Sequence, residues 1–395
     1  MKICFLSAFH PATDKRVFDK EAHSLRGAGF EVVHLCGQSA GEPLGRWEKN
    51  GIVIETYPRA KGIRGRLRQL IGLYRRARAI GADVYHCNEV DSWAIGAVLR
   101  ITTGRLCVVD IHEHYPSTFA EKRFPKAVQP IVASIIRLSY AVLAPFTARI
   151  VLAKRSVAPD FWFARRKLVL VQNFTPLEAL ASVPAVPVRA GERGRSPALM
   201  IHLGMIGRIR GWPQLLDAMA MSRHSDSVVH IIGEFNDDSE AEFHRRVEAL
   251  GLKNRIRFDA WMPFAEAFKR LTEADIGLVL FQPGVQNHVY ALPHKLFDYM
   301  LARIPVIVPE CAVEVREIVI GAGCGIPVDT SDPKLIAAAM DRLLDSATER
   351  KRMAEAGYEA VLKRYNWEQE AAKLVAMYRA LAERTDGRIA GSGKT

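Results

Sequence analysis

Short apolar runs alternate along the chain with longer stretches whose apolar residues return every three or four positions, the marks of buried strand and amphipathic helix in turn. Lys2–Ser7 is an apolar run with strand-favouring residues, Val17–Ala28 carries helical spacing, and beyond Gly29 a second strand covers Phe30–Leu35. Strand, loop, helix, strand is the repeating unit of a parallel sheet, whose ligand belongs at the loop after the first strand. Asp83–Glu89 and Leu106–Pro116 each read as a buried strand ending in polar residues, and Leu168–Asn173 as a further strand. Pro125–Val151 is apolar almost throughout and predicts a pair of helices, or one kinked at Pro145. A second series opens with the strand Ala198–Leu203, a glycine-bearing basic loop Gly204–Gly211 and the helix Trp212–Ser222. Strands follow at Val228–Gly233, Ile256–Asp259, Ile276–Leu280 and Gly321–Val328, with a helix at Asp332–Ser346. The pattern is α/β and doubly wound, repeated twice.

Pro184, Pro187, Gly191, Gly194 and Pro197 mark a linker over 181–197 between a first domain, 1–180, and a second, 198–366. Two ordinary cores fit a chain of 395 residues of which 49% are hydrophobic. The six cysteines are scattered without a C-x-x-C pair, so they read as reduced core residues of a cytosolic protein. The apolar start is broken at His10-Pro11, short for a signal peptide, and no clean apolar run reaches the roughly 20 residues of a membrane span.

Charge changes the picture. The net +12 is concentrated in residues 1–180, which hold 27 Lys and Arg against 15 Asp and Glu, whereas 181–395 hold 28 of each. An anionic partner is expected for the first domain, a membrane surface before nucleic acid, since no aromatic stacking series accompanies the basic residues. Arg59–Ile80 has eight basic residues, no acid and helical apolar spacing. It reads equally as an interfacial helix on anionic lipid and as a core-packed helix with a solvated basic face. Pro125–Val151 admits shallow membrane insertion as an alternative to packing on the sheet.

The densest chemistry lies in Val289–Val308, where a helix start is joined to a buried strand. Pro293 suits the first helical position, and the free N–H groups near His294–Leu296 make an anion pocket with the positive end of the helix dipole. Lys295 sits where a cation opposes that dipole, so a bound diphosphate explains it; Asp298, one turn on and on the same face, suits a ribose diol. A solvated Lys–Asp pair on an ordinary helix is the competing reading. The loop Gly204–Gly211, with Arg208 and Arg210, is a second phosphate-cradling arrangement. In the first domain His86, Asn88, Glu89, His112, Glu113 and His114 converge on one sheet edge. The loop Phe9–Arg16 lacks a glycine-rich fingerprint, which argues against a nicotinamide dinucleotide site. The terminal Gly391–Thr395 is no P-loop, because Arg388 stands where its first glycine must be, and 384–395 reads as a flexible tail.

Pro293–Met300 followed by Ile304–Ile307 resembles the donor-binding signature of family 4 glycosyltransferases, and the resemblance runs in order along nearly the whole chain. It implies the GT-B fold: two Rossmann-like doubly wound domains facing across a cleft, with a C-terminal helix, 367–383, crossing back to the first. It also implies retaining, front-face transfer of a sugar from a nucleotide diphosphate to a hydroxyl acceptor. Residue by residue it assigns donor binding to Gly204, Arg208, Arg210, Tyr290, Lys295, Leu296 and Asp298, and catalysis to His112, Arg210 and Lys295. Asp298 matches the family's ribose-binding glutamate. Tyr290 stands where a sugar-binding glutamate is usual, and Met205 where an arginine is usual, with Arg208 as its substitute. Asp14, Arg16, Asn88, Glu89 and Glu113 fall on the acceptor side. The turn Gly233–Phe235 and the strand end Ala260–Pro263 resemble elements beside the base, although Trp261 reads as core. No D-x-D motif suggests a metal, and no cofactor beyond the nucleotide sugar is implied. With the basic first half, the resemblance points to a lipid-linked glycan acceptor of cell-surface polysaccharide synthesis and a peripheral place on the cytoplasmic face of the membrane. A sugar-nucleotide epimerase of the same fold and a non-catalytic basic membrane-binding protein are the alternatives.

Overall fold

The computed structural model describes residues 1–8, 10–60, 62–178 and 197–392, which form two compact units. The first comprises Met1–Asn173 with Trp367–Thr395, the second Phe174–Asn366. Each is a parallel sheet between helices, as the two series of apolar runs require.

The first sheet runs β3 (Gly45–Lys49), β4 (Ile52–Tyr57), β2 (Glu31–Gly37), β1 (Lys2–Ser7), β5 (Val84–Cys87), β6 (Leu106–Ile111), β7 (Arg149–Leu152), β8 (Leu168–Leu170). All neighbours are parallel except β3 and β4, a hairpin closed at Asn50-Gly51, both with positive φ. Asn-Gly is the strongest short-range hairpin signal. That edge pair lies outside the predicted elements. So does β7, whose residues the apolar composition of Pro125–Val151 assigned to helix; only Gln129–Leu143 is α-helical there, followed by a short 3-10 turn at Ala144–Phe146. The β1–β2 crossover is a π-helical turn, Val17–Ala22, running into α1 (His23–Gly27).

One face of this sheet is covered by α2 (Gly62–Ile80), α3 (Val90–Thr103), α5 (Gln129–Leu143, after α4, Tyr115–Arg123) and a 3-10 segment, Arg155–Lys167, through Leu73, Trp93, Tyr140 and Phe161. Ser7, Asn88 and His34 tie the end of β1 to the following loop: Asn88 Nδ2 donates to Ser7 Oγ at 2.8 Å, Ser7 meets His34 Nε2 at 2.9 Å, and His34 Nδ1 reaches the Ala12 carbonyl at 3.2 Å.

The second sheet has strand order β11 (Ile256–Asp259), β10 (Val228–Ile232), β9 (Leu199–Leu203), β12 (Ile276–Leu278), β13 (Val306–Pro309), β14 (Gly325–Val328), all parallel. This is the doubly wound order 3-2-1-4-5-6, whose ligand crevice opens at the carboxyl ends of the two central strands, here β9 and β12. Its helices are α6 (Trp212–Met221), α7 (Glu240–Ala249), α8 (Phe264–Leu271), α9 (Gln286–Val289), α10 (His294–Leu301), α11 (Val313–Ala322), α12 (Pro333–Asp345) and α13 (Ala347–Lys363). Phe174 and Thr175 belong with this unit, the ring of Phe174 standing edge-on to Phe297 at 4.7 Å, so the boundary falls before the expected residue 180. The linker at 181–196 lies outside the described residues.

The last helix, α14, runs from Trp367 to Ser392, so 384–392 continue the expected C-terminal helix and are not a loose tail. Trp367, Leu374, Met377, Tyr378 and Leu381 complete the opposite face of the first unit's core.

Candidate active site

In the second unit the carboxyl ends of β9 and β12 are tied by one side chain. The Tyr299 hydroxyl accepts the Leu203 N–H at 2.8 Å and donates to the Leu278 carbonyl at 3.3 Å. Its ring lies against Gly277, where any Cβ would collide with it. Three other glycines let backbone pass at the same crevice. Gly204 has φ +93°, a Cβ on Gly233 would enter the Gly204 backbone, and one on Gly211 would strike the Leu280 carbonyl.

Lys295 projects into this crevice from the first turn of α10. Its Nζ is 3.3 Å from His202 Nε2, at the end of β9, and 5.8 Å from the ring centre of Phe281, just past β12. The Arg210 guanidinium lies over the same ring at 4.8 Å. Burial, and then the charge of Arg210, pull the Lys295 pKa down to about 7 against the opposing effect of Asp298. Burial, with Lys295 beside it, holds His202 well below the usual histidine range, so that ring is neutral. Two basic groups close on one aromatic ring at a glycine-lined switch point, beside the N-terminus of α10, are arranged to receive phosphate. Phe281 is itself fixed: its carbonyl accepts from Thr330 Oγ1 at 2.6 Å, and His288 stacks on it at 5.0 Å.

Other expected donor residues are placed differently. Pro293 is the N-cap, in extended backbone, and α10 begins at His294. Leu296 is wholly buried in the core, and its N–H bonds to the Pro293 carbonyl at 3.2 Å. Asp298 is buried and accepts from Thr175 Oγ1 at 2.8 Å. Tyr290 caps α9 and is half-buried. Arg208, the expected substitute for the arginine missing at Met205, is held in surface ion pairs. Its guanidinium is bound by Asp238 at 2.7 Å and Glu242 at 2.6 Å, carboxylates that already neutralise it. Trp261 is not core but 66% exposed, whereas Phe235 stacks on Phe258 at 5.6 Å.

The first unit gathers its polar residues at the carboxyl ends of β1, β5 and β6. Asp110 receives Arg16 through both oxygens, at 2.8 and 2.9 Å, and His112 Nε2 at 2.6 Å. Arg16 Nη2 also lies 2.9 Å from Glu21 Oε1, a close contact outside hydrogen-bond geometry. Glu21 Oε2 is 3.5 Å from His86 Nε2, and His86 Nδ1 meets the Tyr378 hydroxyl at 2.6 Å. Ligating atoms of Glu21, His86 and Asp110 lie within 4.8 Å of one another, a spacing that could hold a metal ion, but the Arg16 guanidinium already supplies the positive charge between the carboxylates. Burial, with Asp110 beside it, raises the Glu21 pKa well above the glutamate range. Asp110 is held well below its own range, because the Arg16 charge and His112 outweigh the burial. One guanidinium thus keeps one carboxylate ionised, and that one orients His112.

Arg16, Asn88 and Glu89 are buried. Glu89 accepts the N–H groups of Ala8 and His10 at 3.0 and 3.1 Å, so it shapes the loop after β1, while Asp14 and Glu113 stay half-exposed. His114 accepts from the Ser117 N–H at the start of α4 and pairs with Asp160 at 2.9 Å, a structural use. His10 was absent from the expected site. It stands edge-on to His112 at 4.9 Å and bonds Asp14 at 3.2 Å. Burial would lower its pKa, but Asp14 and Glu89 leave it raised. Phe281 and His202 were likewise missed.

Residues 190–360 match the family model described as glycosyl transferases group 1. No curated protein sequence matches. Among solved structures the chain is similar to sucrose-phosphate synthase from Thermosynechococcus elongatus, at 16% identity and TM-score 0.74 over 97% of this chain and 100% of that one. It is similar to a glycosyltransferase from Rickettsia africae at 15% identity and TM-score 0.71, over 96% and 99% of the two chains. Anabaena HepE in complex with UDP gives 14% identity and TM-score 0.69, over 96% and 100%. The fold is therefore that of GT-B glycosyltransferases. The match to group 1 glycosyl transferases lies within the second unit.

Proposed function

We propose that the protein is a retaining family 4 enzyme that transfers a sugar from a nucleotide diphosphate to a hydroxyl of a lipid-linked glycan, in cell-surface polysaccharide synthesis at the cytoplasmic face of the membrane. The observation that carries the donor half is the pairing of Lys295 and Arg210 over Phe281 at the switch point of the second sheet. Breaking the anomeric C–O bond builds negative charge on the leaving diphosphate. The two cations and the first turn of α10 stabilise that charge in place, without a metal, and fixed charge of this kind is often the largest catalytic contribution. Front-face transfer lets the leaving phosphate oxygen take the acceptor proton, so no side chain is assigned as general base. Asp298, held by Thr175, takes the ribose hydroxyls. The resemblance gives His112, oriented by Asp110, a role toward the transferred sugar.

HepE is described with UDP and with UDP-glucose, which makes uridine diphosphate the first nucleotide to try. The test is a thermal-shift series with UDP, GDP, ADP and CMP, since a ligand bound only by the folded state raises the midpoint by mass action. One diphosphate should shift wild type and not Lys295→Ala. A flat response to all four would remove the donor site. The membrane half is supported by the basic excess of residues 1–180, and salt-sensitive binding to anionic vesicles tests it.

A further inference from the structure

Among the described residues of the first unit, twelve of the thirteen exposed large hydrophobic side chains fall on α2, α3, α5 and the segments around α5. Leu44 is the exception. The helices on the other face of the sheet carry none of them. The densest part is α5, where Ile131, Ile135, Leu138 and Val142 are 61, 61, 64 and 58% exposed. Their spacing of four, three and four residues puts them in one narrow stripe along the helix. The opposite side of α5 is anchored: Tyr140 is fully buried and stacks on Phe161 at 4.8 Å.

Gln129–Phe146 is long and apolar enough to cross a bilayer by length and composition. Crossing would pull Tyr140 out of the core and expose its partners, whereas lying in the interface uses the stripe and leaves the core intact. The surroundings name the occupant. Residues 62–80, 90–103, 115–143 and 155–167 hold 15 Lys and Arg against three Asp and Glu. A second copy of the chain would set that charge against itself, because a two-fold interface pairs each patch with its own equivalent. An anionic leaflet opposes it with negative charge and offers hydrocarbon to the stripe.

We propose that α5 is a membrane-insertion ridge. Ile131, Ile135, Leu138 and Val142 enter the boundary between headgroups and acyl chains of an anionic bilayer, while the arginines of α2 supply the long-range attraction. The inference rests on the membrane half of the proposed function and adds a component that salt does not remove. Charge attraction is screened at high salt, where the Debye length falls to about 3 Å, but buried apolar surface is not.

The experiment is sedimentation of the full chain with vesicles of mixed phosphatidylglycerol and phosphatidylcholine, at low and high salt. Wild type should stay partly bound at high salt. Ile135→Ser with Leu138→Ser should lose that salt-resistant binding by on the order of tenfold or more while still binding at low salt. Leu138→Trp, at an exposed position, should show a blue-shifted emission component quenched by brominated lipid. Equal binding of wild type and the double variant at every salt, with no quenching of the introduced indole, overturns the ridge and leaves electrostatic docking standing. No binding of wild type at low salt overturns the ridge and the membrane half together, and leaves the nucleotide test untouched. A lipid-free dimer that the double variant dissolves, without vesicle binding, overturns it in favour of a second copy.

Discussion

Glu21→Gln should make the protein more stable as pH rises, although it deletes a carboxylate that touches an arginine. Glu21 and Asp110 are both fully buried, their oxygens lie within 4.8 Å, and only Arg16 stands between them. Asp14 adds to the negative surroundings, and His86, whose pKa burial lowers to about 3, is neutral. The fold therefore keeps the Glu21 proton, and glutamine is its neutral stand-in. For a carboxyl whose folded pKa is raised, stability is full below the unfolded value of about 4.3 and is lost as pH climbs toward the folded one. The loss is about 1.4 kcal/mol per pH unit over that window, so the difference between the two proteins widens as pH rises from 5.5 toward 8. Wild type bears it and Glu21→Gln does not, while every other titrating group is common to both and cancels in the difference. Thermal unfolding of the two proteins across that range measures it. If Glu21 were instead an ionised partner of Arg16, glutamine would cost about 3 to 5 kcal/mol at pH 8, and the difference would have the opposite sign. That result would refute the assignment.

Lys295→Ala and Arg210→Ala should each cut transfer by about 2 to 4 kcal/mol of barrier with the fold intact, as steady-state kinetics and melting would show; near-normal turnover in both removes the phosphate site. Lys295 sits near pH 7 without ligand, and a bound diphosphate raises it, so binding takes up a proton and affinity weakens as pH rises above 7, at most tenfold per unit. Titration calorimetry in buffers of different ionisation enthalpy reads this uptake, and buffer-independent heats would contradict it. Asp298→Asn should weaken nucleotide binding, with a 2′,3′-dideoxy nucleotide hurt less than the normal one; equal losses would put the carboxylate's role elsewhere. Gly277→Ala should cost about 1 to 3 kcal/mol, because the added methyl meets the Tyr299 ring, and an unchanged melting point would show that the ring has room to move.

Much of this was legible because a parallel sheet announces itself as apolar runs with ligand-bearing ends. The reading of Lys295 and Arg210, which the structure brings together at Phe281, came that way: a cation in a helix's first turn and a basic residue in a glycine loop are both odd unless an anion binds. Phe281 was invisible for the complementary reason, since an aromatic residue after an apolar strand looks like core until two cations are seen on its face. The ion pairs of Arg208 were not readable, because its carboxylate partners, Asp238 and Glu242, lie some thirty residues away in the chain. Strand β7 was lost inside a run of uniform hydrophobicity, where period cannot separate helix from strand. The hairpin at Asn50-Gly51 carried a readable turn that went unused, and Trp261 shows that a large apolar residue near a strand end need not be buried.

The return of α14 to the first unit has a consequence for how the chain is made. Tyr378 reaches His86, and Trp367, Leu374 and Leu381 fill the same core, so the first unit is incomplete until residues 367–381 have been made. The second unit, Phe174–Asn366, has all of its residues before the first does. At ordinary elongation rates the stretch Phe174–Asn366 takes roughly 10 to 40 s to make, during which β1, β2 and β5 wait on the ribosome with one face only partly covered. Translation thus inverts the order of the domains: the half written second is the half able to fold first. A stop codon near residue 367 would release a sound second unit fused to an N-terminal half with an open core, a natural substrate for chaperones and proteases.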